Sequence, residues 1–268
     1  MYGACIVFAA IILAILVLIT GYLLLIGVHY LSFSFFFKTP VAQGNPGFPG
    51  GMANGLQGTT VLIALASAVG IPFGVLAGIY LAEYDTHSLL VGTVRFVADV
   101  LAGVPSIVVG ILFYELLVAP FHRNNAWSAA MALAFIMIPI IARTTEEMLR
   151  LVPNSYREAS VGLGATKAHT IWRIVLPAAK ASIVTGVMLS IARIAGETAP
   201  LLFTSLGNDS ITWNLNDRFP SLTKQIYDYS TQRATPQEQG LAWAGILVLI
   251  SLIFVLNLGV RYFTRQRK

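Results

Sequence analysis

The chain has 268 residues, of which 56% are hydrophobic and 11% charged, with a mean hydropathy of +0.75. A soluble domain carries about a quarter charged residues, so this chain lacks the polar side chains to cover a water-facing surface. The soluble globular class is excluded, and the lipid bilayer is its main solvent. The formal charge of +5 calls for no nucleic-acid partner, because loops on the cytoplasmic side of a membrane protein collect Lys and Arg.

Six apolar runs approach the length of about 20 residues that a helix needs to cross a bilayer: 4–28, 60–81, 96–118, 126–141, 182–203 and 241–262. A barrel strand would alternate in polarity over about ten residues. These runs are apolar all round and contain Gly70, Pro72, Gly74, Gly103, Pro105 and Pro139, which spanning helices tolerate. The first run has no charge and exceeds the apolar core of a cleavable signal. It is read as an anchor helix, and its uncharged start is compatible with a longer native N-terminus. The lone Cys5 cannot form an intramolecular disulfide.

Six spans place both termini on one side. That side holds Arg95, Arg143, Arg150, Arg157, Lys167, Arg173, Lys180, Arg261, Arg265, Arg267 and Lys268; the other holds Lys38, Arg123, Arg218, Lys224 and Arg233. The positive-inside rule makes the richer side, with both termini, cytoplasmic. Two long loops, 29–58 and 205–240, then face outward. The first contains GNPGFPGGMANG and reads as irregular; the second, with Trp213, Tyr227 and Tyr229, has room for a short interfacial helix. There is no internal repeat, so residues 1–268 read as a single membrane domain.

The segment 153–177 is a polar, cationic insert between two apolar runs. Ser155 and Glu158 fit an S-x-x-E capping box, predicting a short helix to about Val161 that stops at Gly162 or Gly164. Thr166 can cap a second helix through Trp172 and Arg173, ending before Pro177. Tyr156, Leu163 and Trp172 offer apolar contacts framed by charge. On physics alone such a pair of helices either docks a partner or rests on headgroups.

Glu158-Ala159-Ser160, three residues, Gly164, nine residues, then Ile174-Val175-Leu176-Pro177 resembles the EAA loop of ABC importer permeases, departing only in Ser160, where that family usually has Ala. YLAEY at 80–84, LAGVPSIVVG at 101–110 and ARIAGETAPLLFT at 192–204 further resemble the phosphate-specific transport (Pst) permeases, on the PstA-like side of that family. The resemblance implies an all-α integral membrane protein with six transmembrane helices in the type I (MetI-like) importer permease fold, seated in the bacterial inner membrane, with a cytoplasmic coupling helix. It implies that Ser155, Glu158, Ala159, Ser160 and Gly164 form the ATPase-coupling surface. It implies the partners too: a homologous PstC-like permease, two PstB-like ATPase subunits that bind ATP and Mg, and a PstS-like phosphate-binding protein.

Arg193 lies eleven residues beyond Ser182, about 16 Å along a helix at 1.5 Å per residue. That depth is close to mid-membrane, where a charge is costly and faces a bundle interior or an ion path. Glu197, at i+4, can pair with it. The two can brace a helix interface, or Arg193 can line the path of an anion, whose oxygens a planar guanidinium matches. Ser106, beside Pro105, can hydrogen-bond a substrate or pack helices. Asp99 and Glu115 read as lying near the two ends of the third run, solvated or paired, and receive no role.

No catalytic set is visible. His29, His87, His122 and His169 are not at metal-ligand spacing, and there is no GxxxxGK[ST] loop, so the chain needs no cofactor of its own and ATP hydrolysis falls to a separate subunit. The expected function is import of inorganic phosphate by alternating access. Alternatives are a permease for sulfate or molybdate, a proton-coupled secondary transporter using the Arg193–Glu197 pair, and a membrane sensor without flux.

Overall fold

A backbone in hydrocarbon has to satisfy its polar groups within itself, and the apolar runs do so as helices. The computed structural model describes residues 2–40, 50–84, 88–232 and 235–265; the glycine- and proline-rich stretch 41–49 and the basic residues Arg233, Arg267 and Lys268 lie outside them. The elements in order are α1 (Tyr2–Tyr30), α2 (Phe33–Phe37), α3 (Ala53–Glu83), α4 (Leu89–Gly103), α5 (Ser106–Leu117), a 3-10 turn (Ala119–Phe121) and α6 (Ala126–Arg150). Then come α7 (Asn154–Gly162), α8 (Lys167–Thr170), a π-helical turn (Ile171–Val175), α9 (Leu176–Ala195), α10 (Ala199–Thr204), α11 (Leu222–Thr231) and α12 (Pro236–Arg265). Among the described residues there is one isolated β-bridge, Leu206 to Phe219, and no strand.

Five helices are long and apolar enough to cross a membrane, and α4 with α5 makes a sixth, broken span bent by 104°. The third apolar run is therefore not one continuous helix. Proline disfavours helical backbone in the residue before it, and Val104 and Pro105 are both extended. The fifth run also breaks. α9 stops at Ala195, and Pro200, which cannot donate a backbone hydrogen bond, opens α10 as a separate short helix. The fourth run, in contrast, does not stop near Ile141: α6 continues to Arg150 because Arg143, Glu146 and Arg150 neutralise one another there.

α3 and α6 run parallel as the central pair. Gly70, Gly74 and Gly78 of α3 face Met137, Ile141 and Thr145 of α6 so closely that a Cβ on Gly74 would lie 2.7 Å from that of Ile141. Small residues at four-residue spacing let helix backbones approach where lipid gives no hydrophobic drive to associate. α9 returns antiparallel beside α6, with Gly186 against Thr144. α1 lies on α12, Gly27 against Leu247 and Tyr22 edge-on to Trp243 at 5.4 Å. Its remaining surface is a continuous sheath of exposed Ile, Leu, Val and Phe.

The crossings alternate so that α1 begins and α12 ends on the side of the bundle carrying Arg95, Arg143, Arg150 and Arg157. At the opposite end α11 is not an interfacial helix resting on lipid. Its Leu222 and Tyr229 are buried with Phe35, Met52 and Leu241, so the outer loop is folded into the bundle.

Candidate functional site

The two-helix arm forms as a hairpin at the end where α1 begins and α12 ends. α7 begins two residues earlier than the capping box requires: Pro153 is the N-cap, without a side-chain cap, and Ser155 sits exposed inside the first turn. The reason is local, since Pro153 already supplies extended backbone and a helix-compatible start. α7 ends at Gly162, and Gly164 at φ +84° turns the chain. Thr166 caps α8 by accepting from the His169 N–H.

The second arm does not end before Pro177. Its helix passes through the π turn, where the Leu176 N–H reaches the Ile171 carbonyl, and runs on into α9. An α-helical proline at 177 would press its ring on the Arg173 carbonyl; a wider π turn just before it relieves that crowding.

Glu158 and Ala159 are exposed on α7, as is Gly164 at the turn, beside Tyr156, Val161, Trp172 and a Leu163 that is 90% exposed. Ser160 points the other way. It is buried and shares a 2.8 Å hydrogen bond with Thr170, so within this chain it clasps α7 to α8. The departure from alanine at this position thus has a structural partner, a hydroxyl on the facing arm.

Because Gly164 has open space around it but a positive φ, Gly164→Ala should destabilise by about 1–2 kcal/mol. Gly162→Ala, in helical backbone with nothing nearby, should stabilise by about 0.5–1 kcal/mol. Thermal unfolding in detergent reads both signs.

The arm is tied to the bundle by ion pairs that sequence reading did not assign. Arg157 clamps Glu83 at the end of α3 through Nε and Nη2, and also donates to the carbonyls of Leu149 (2.9 Å) and Val152 (2.7 Å). Glu146, with a side chain 2% exposed, takes three guanidiniums: Arg95 from α4 at 2.8 Å, Arg143 at 2.9 Å and Arg150 at 2.8 Å. Arg143 also holds Asp99 at 2.8 Å. Glu115 is exposed in the last turn of α5, near the end of its run. The signal for these pairs was the clustering of opposite charges just outside apolar runs, but their partners are far apart in sequence.

Arg193 is not at the middle of a helix. It lies in the last turn of α9, with Glu197 beyond the Gly196 cap. The pair is loose, at 3.9 Å, and the Arg193 side chain is 52% exposed. Glu197 is held by its backbone: its carbonyl accepts from Thr223 Oγ1 of α11 at 2.9 Å. Ser106 is the first residue of α5, half-buried just past the break, and among the described contacts nothing brings it to Arg193.

The uncovered face of α9 is informative. Ala178, Ser182, Thr185, Leu189, Arg193 and Gly196 are all exposed and recur every three or four residues, so they form one stripe. Apart from Leu189 its residues are small or polar, unlike the aliphatic sheath of α1. Such a stripe on a membrane helix suits a polar path or a closely approaching partner.

The fold is that of an importer's membrane subunit. The chain superposes on one from a bacterial ABC transporter involved in the import of the acidic polysaccharide alginate (TM-score 0.65, 14% identity, 98% of this chain and 96% of that one). It also superposes on one from the inward-facing MetNI methionine ABC transporter (TM-score 0.63, 18% identity, 80% and 96%). Residues 70–268 match the family described as "Binding-protein-dependent transport system inner membrane component".

The chain belongs to that family, in its PstA-like branch. It is similar to the phosphate transport system permease protein PstA of Haemophilus influenzae, 41% identical over 242 residues covering 90% of this chain and 84% of that protein. The PstA of Yersinia pestis is 43% identical over 82% and 74%, and PstA 1 of Mycobacterium tuberculosis 39% over 82% and 73%. The chain is therefore a multi-pass inner-membrane transport subunit.

Proposed function

We propose that the chain is one membrane half of an ATP-driven importer of inorganic phosphate. It pairs with a homologous permease, receives phosphate from an extracytoplasmic binding protein, and is driven by two separate ATPase subunits that hold ATP and Mg. The observation carrying this reading is the uncovered stripe of α9: small or polar but for Leu189, and with a half-exposed arginine near its end, it suits a path shared with a second permease better than lipid. The names of its relatives supply the substrate class. The basic end of the bundle, with both termini and the two-helix arm, faces the cytoplasm.

In this reading the arm is the coupling element. Tyr156, Glu158, Ala159, Leu163 and Gly164 meet the ATPase, Ser160 clasps the arm, and the Arg157–Glu83 clamp transmits its movement to α3. At the outer end of α9, Arg193 stabilises the passing anion. Glu197, at 3.9 Å, reclaims the guanidinium as the anion leaves, so binding is strong enough to admit and weak enough to release.

The test is ATP-dependent uptake of labelled phosphate in vesicles holding the whole complex, with sulfate and molybdate as competitors. Arg193→Gln should lower uptake roughly 10- to 100-fold, the loss expected for a charge-assisted contact, while assembly and basal ATP hydrolysis persist. Uptake at the wild-type rate would make the pair structural, and carriage of a competitor instead of phosphate would overturn the substrate.

A further inference from the structure

The root of the two-helix arm borders an open cavity of about 630 Å³, walled by the ends of α3 and α6 and by both helices of the arm. Four of its lining side chains are charged: Glu83 from α3, Arg150 from α6, Arg157 from α7 and Lys167 from α8. Three cations against one carboxylate leave a formal charge of +2. Glu146 does not cancel Arg150, because its one charge is shared among three guanidiniums. With Asp99 as the second acid, that group of arginines still holds a cation in excess.

The hydrogen bonds separate wall from recognition surface. Arg157 is saturated: Nε and Nη2 hold Glu83, and its other N–H groups go to the carbonyls of Leu149 and Val152 and to Asn154 Oδ1. The one acid in the wall is thereby matched at contact distance. The Thr170 hydroxyl is also committed, to Ser160 and the Thr166 carbonyl.

Three groups keep donors to spare. Arg150 gives Nη2 to Glu146 and, with its side chain 47% exposed, has Nε and Nη1 uncommitted among the described contacts. Asn154 turns its oxygen to Arg157, which leaves its Nδ2 to donate elsewhere. Lys167 lies 4.7 Å over the Tyr84 ring, and no carboxylate among the described residues pairs with it. All three residues are exposed, so an occupant of the cavity can reach them.

The uncommitted set supplies donors and positive charge and no acceptor. It is matched by an anion that carries several oxygens. A guanidinium presents two nitrogens to two such oxygens, and a lysine adds a point charge, a pairing suited to phosphate groups. The cavity lies where α3 and α6 leave their apolar spans, the level at which basic pockets between membrane helices take lipid headgroups. Free phosphate offers the same oxygens from solution.

We propose that this cavity is an anion site, separate from the α9 path, that takes a phosphate group: the headgroup of an anionic lipid or free inorganic phosphate. Its ligands come from α6, α7 and α8, so an occupant ties the arm to the bundle alongside the Arg157–Glu83 clamp. Binding here requires no transport, so this site and the importer reading fail separately.

The measurement is made at Lys167 itself. The assembled complex in phosphatidylcholine nanodiscs is treated with an amine-acylating reagent, and peptide mass spectrometry gives the modification of Lys167 relative to Lys180. Lys180 is exposed on α9 and outside the cavity, so it reports any general change in reactivity. Inorganic phosphate is added in one arm, and phosphatidylglycerol replaces part of the lipid in the other. Potassium chloride at equal ionic strength controls for screening. At least one of the two ligands should slow Lys167 acylation about fivefold relative to Lys180.

Asn154→Asp keeps the acceptor for Arg157 and places an acid in the first turn of α7, where the helix dipole favours it. It should abolish the protection. Arg150→Gln should weaken ligand binding about tenfold. Protection by phosphate alone assigns the site to the free anion, and protection by phosphatidylglycerol alone assigns it to the headgroup. Acylation of Lys167 that neither ligand slows overturns the site, as does protection that potassium chloride reproduces or that both substitutions leave unaltered. A wild-type complex that imports no phosphate overturns the importer reading and leaves this site standing.

Discussion

Replacing Glu146 with alanine should cost the protein about 3–5 kcal/mol, the penalty for removing one partner from a buried ionic cluster. The carboxylate is 2% exposed and sits within 2.9 Å of three guanidiniums. Without it, Arg95, Arg143 and Arg150 face one another across α4 and α6, and Asp99, bound to Arg143 and half-exposed, cannot replace it. Glu146→Gln keeps hydrogen-bond acceptors but loses the charge, so its loss should be smaller. Glu147→Gln, one residue on and exposed, should stay within about 0.5 kcal/mol of wild type. Thermal unfolding of the purified complex in detergent orders the three; a Glu146→Ala midpoint equal to that of Glu147→Gln would show that the cluster does not hold α4 in place.

Gly78→Leu should be comparably damaging, for a steric rather than an electrostatic reason. A Cβ at Gly78 would lie 2.5 Å from the Thr145 Cβ and 2.6 Å from the Ala142 carbonyl oxygen. The second obstacle is backbone and cannot rotate away, so α3 and α6 have to separate. Overpacking a close contact costs about 1–3 kcal/mol or more, and here the contact belongs to the central helix pair. Gly92→Leu, on α4 with nothing within 4 Å, is the matched control and should be near neutral. Yield and monodispersity after detergent extraction report the difference, and equal behaviour of the two variants would contradict the close α3–α6 approach.

These two effects mark where sequence reading was strong and where it stopped. The helices were legible because a bilayer demands long apolar runs, and Gly70 and Gly74 could be noted, but not that α6 lies against them. Glu146 carried no sequence signal of its own. It lies in a polar stretch that truncated the fourth run at Ile141, whereas Arg95, about fifty positions earlier, completes the cluster and lets the helix continue. Pro105 breaks the helix locally into two arms bent by 104°, yet where α4 lies on α6 involves Arg95 with Glu146 and Asp99 with Arg143, pairs remote in sequence. Counting from Ser182 puts Arg193 well inside a helix, whereas α9 begins at Leu176 and ends two residues past Arg193.

In the arm, Gly164 and Thr166 were readable because positive φ and capping are local demands. Ser160 was not, since its direction depends on Thr170 across the turn. Nor could the sequence foresee that Pro177 is absorbed by a π turn, which depends on α8 and α9 being pulled into one line by packing of Ile171, Val175 and Ile183 around Leu149.

By itself the sequence determined the solvent, the class of secondary structure, the side on which positive charge collects, and the local turns of the arm. Each follows from chemistry within a few residues or from the free energy of moving a side chain between water and lipid. Only the tertiary structure decided which helix glycines touch which neighbours, which acids neutralise which arginines, which face of α9 stays uncovered, and which donors at the root of the arm lack partners. Those depend on residues tens to more than a hundred positions apart meeting at distances below 4 Å, where steric exclusion and the cost of an unpaired polar group act, and no short window of sequence carries that information.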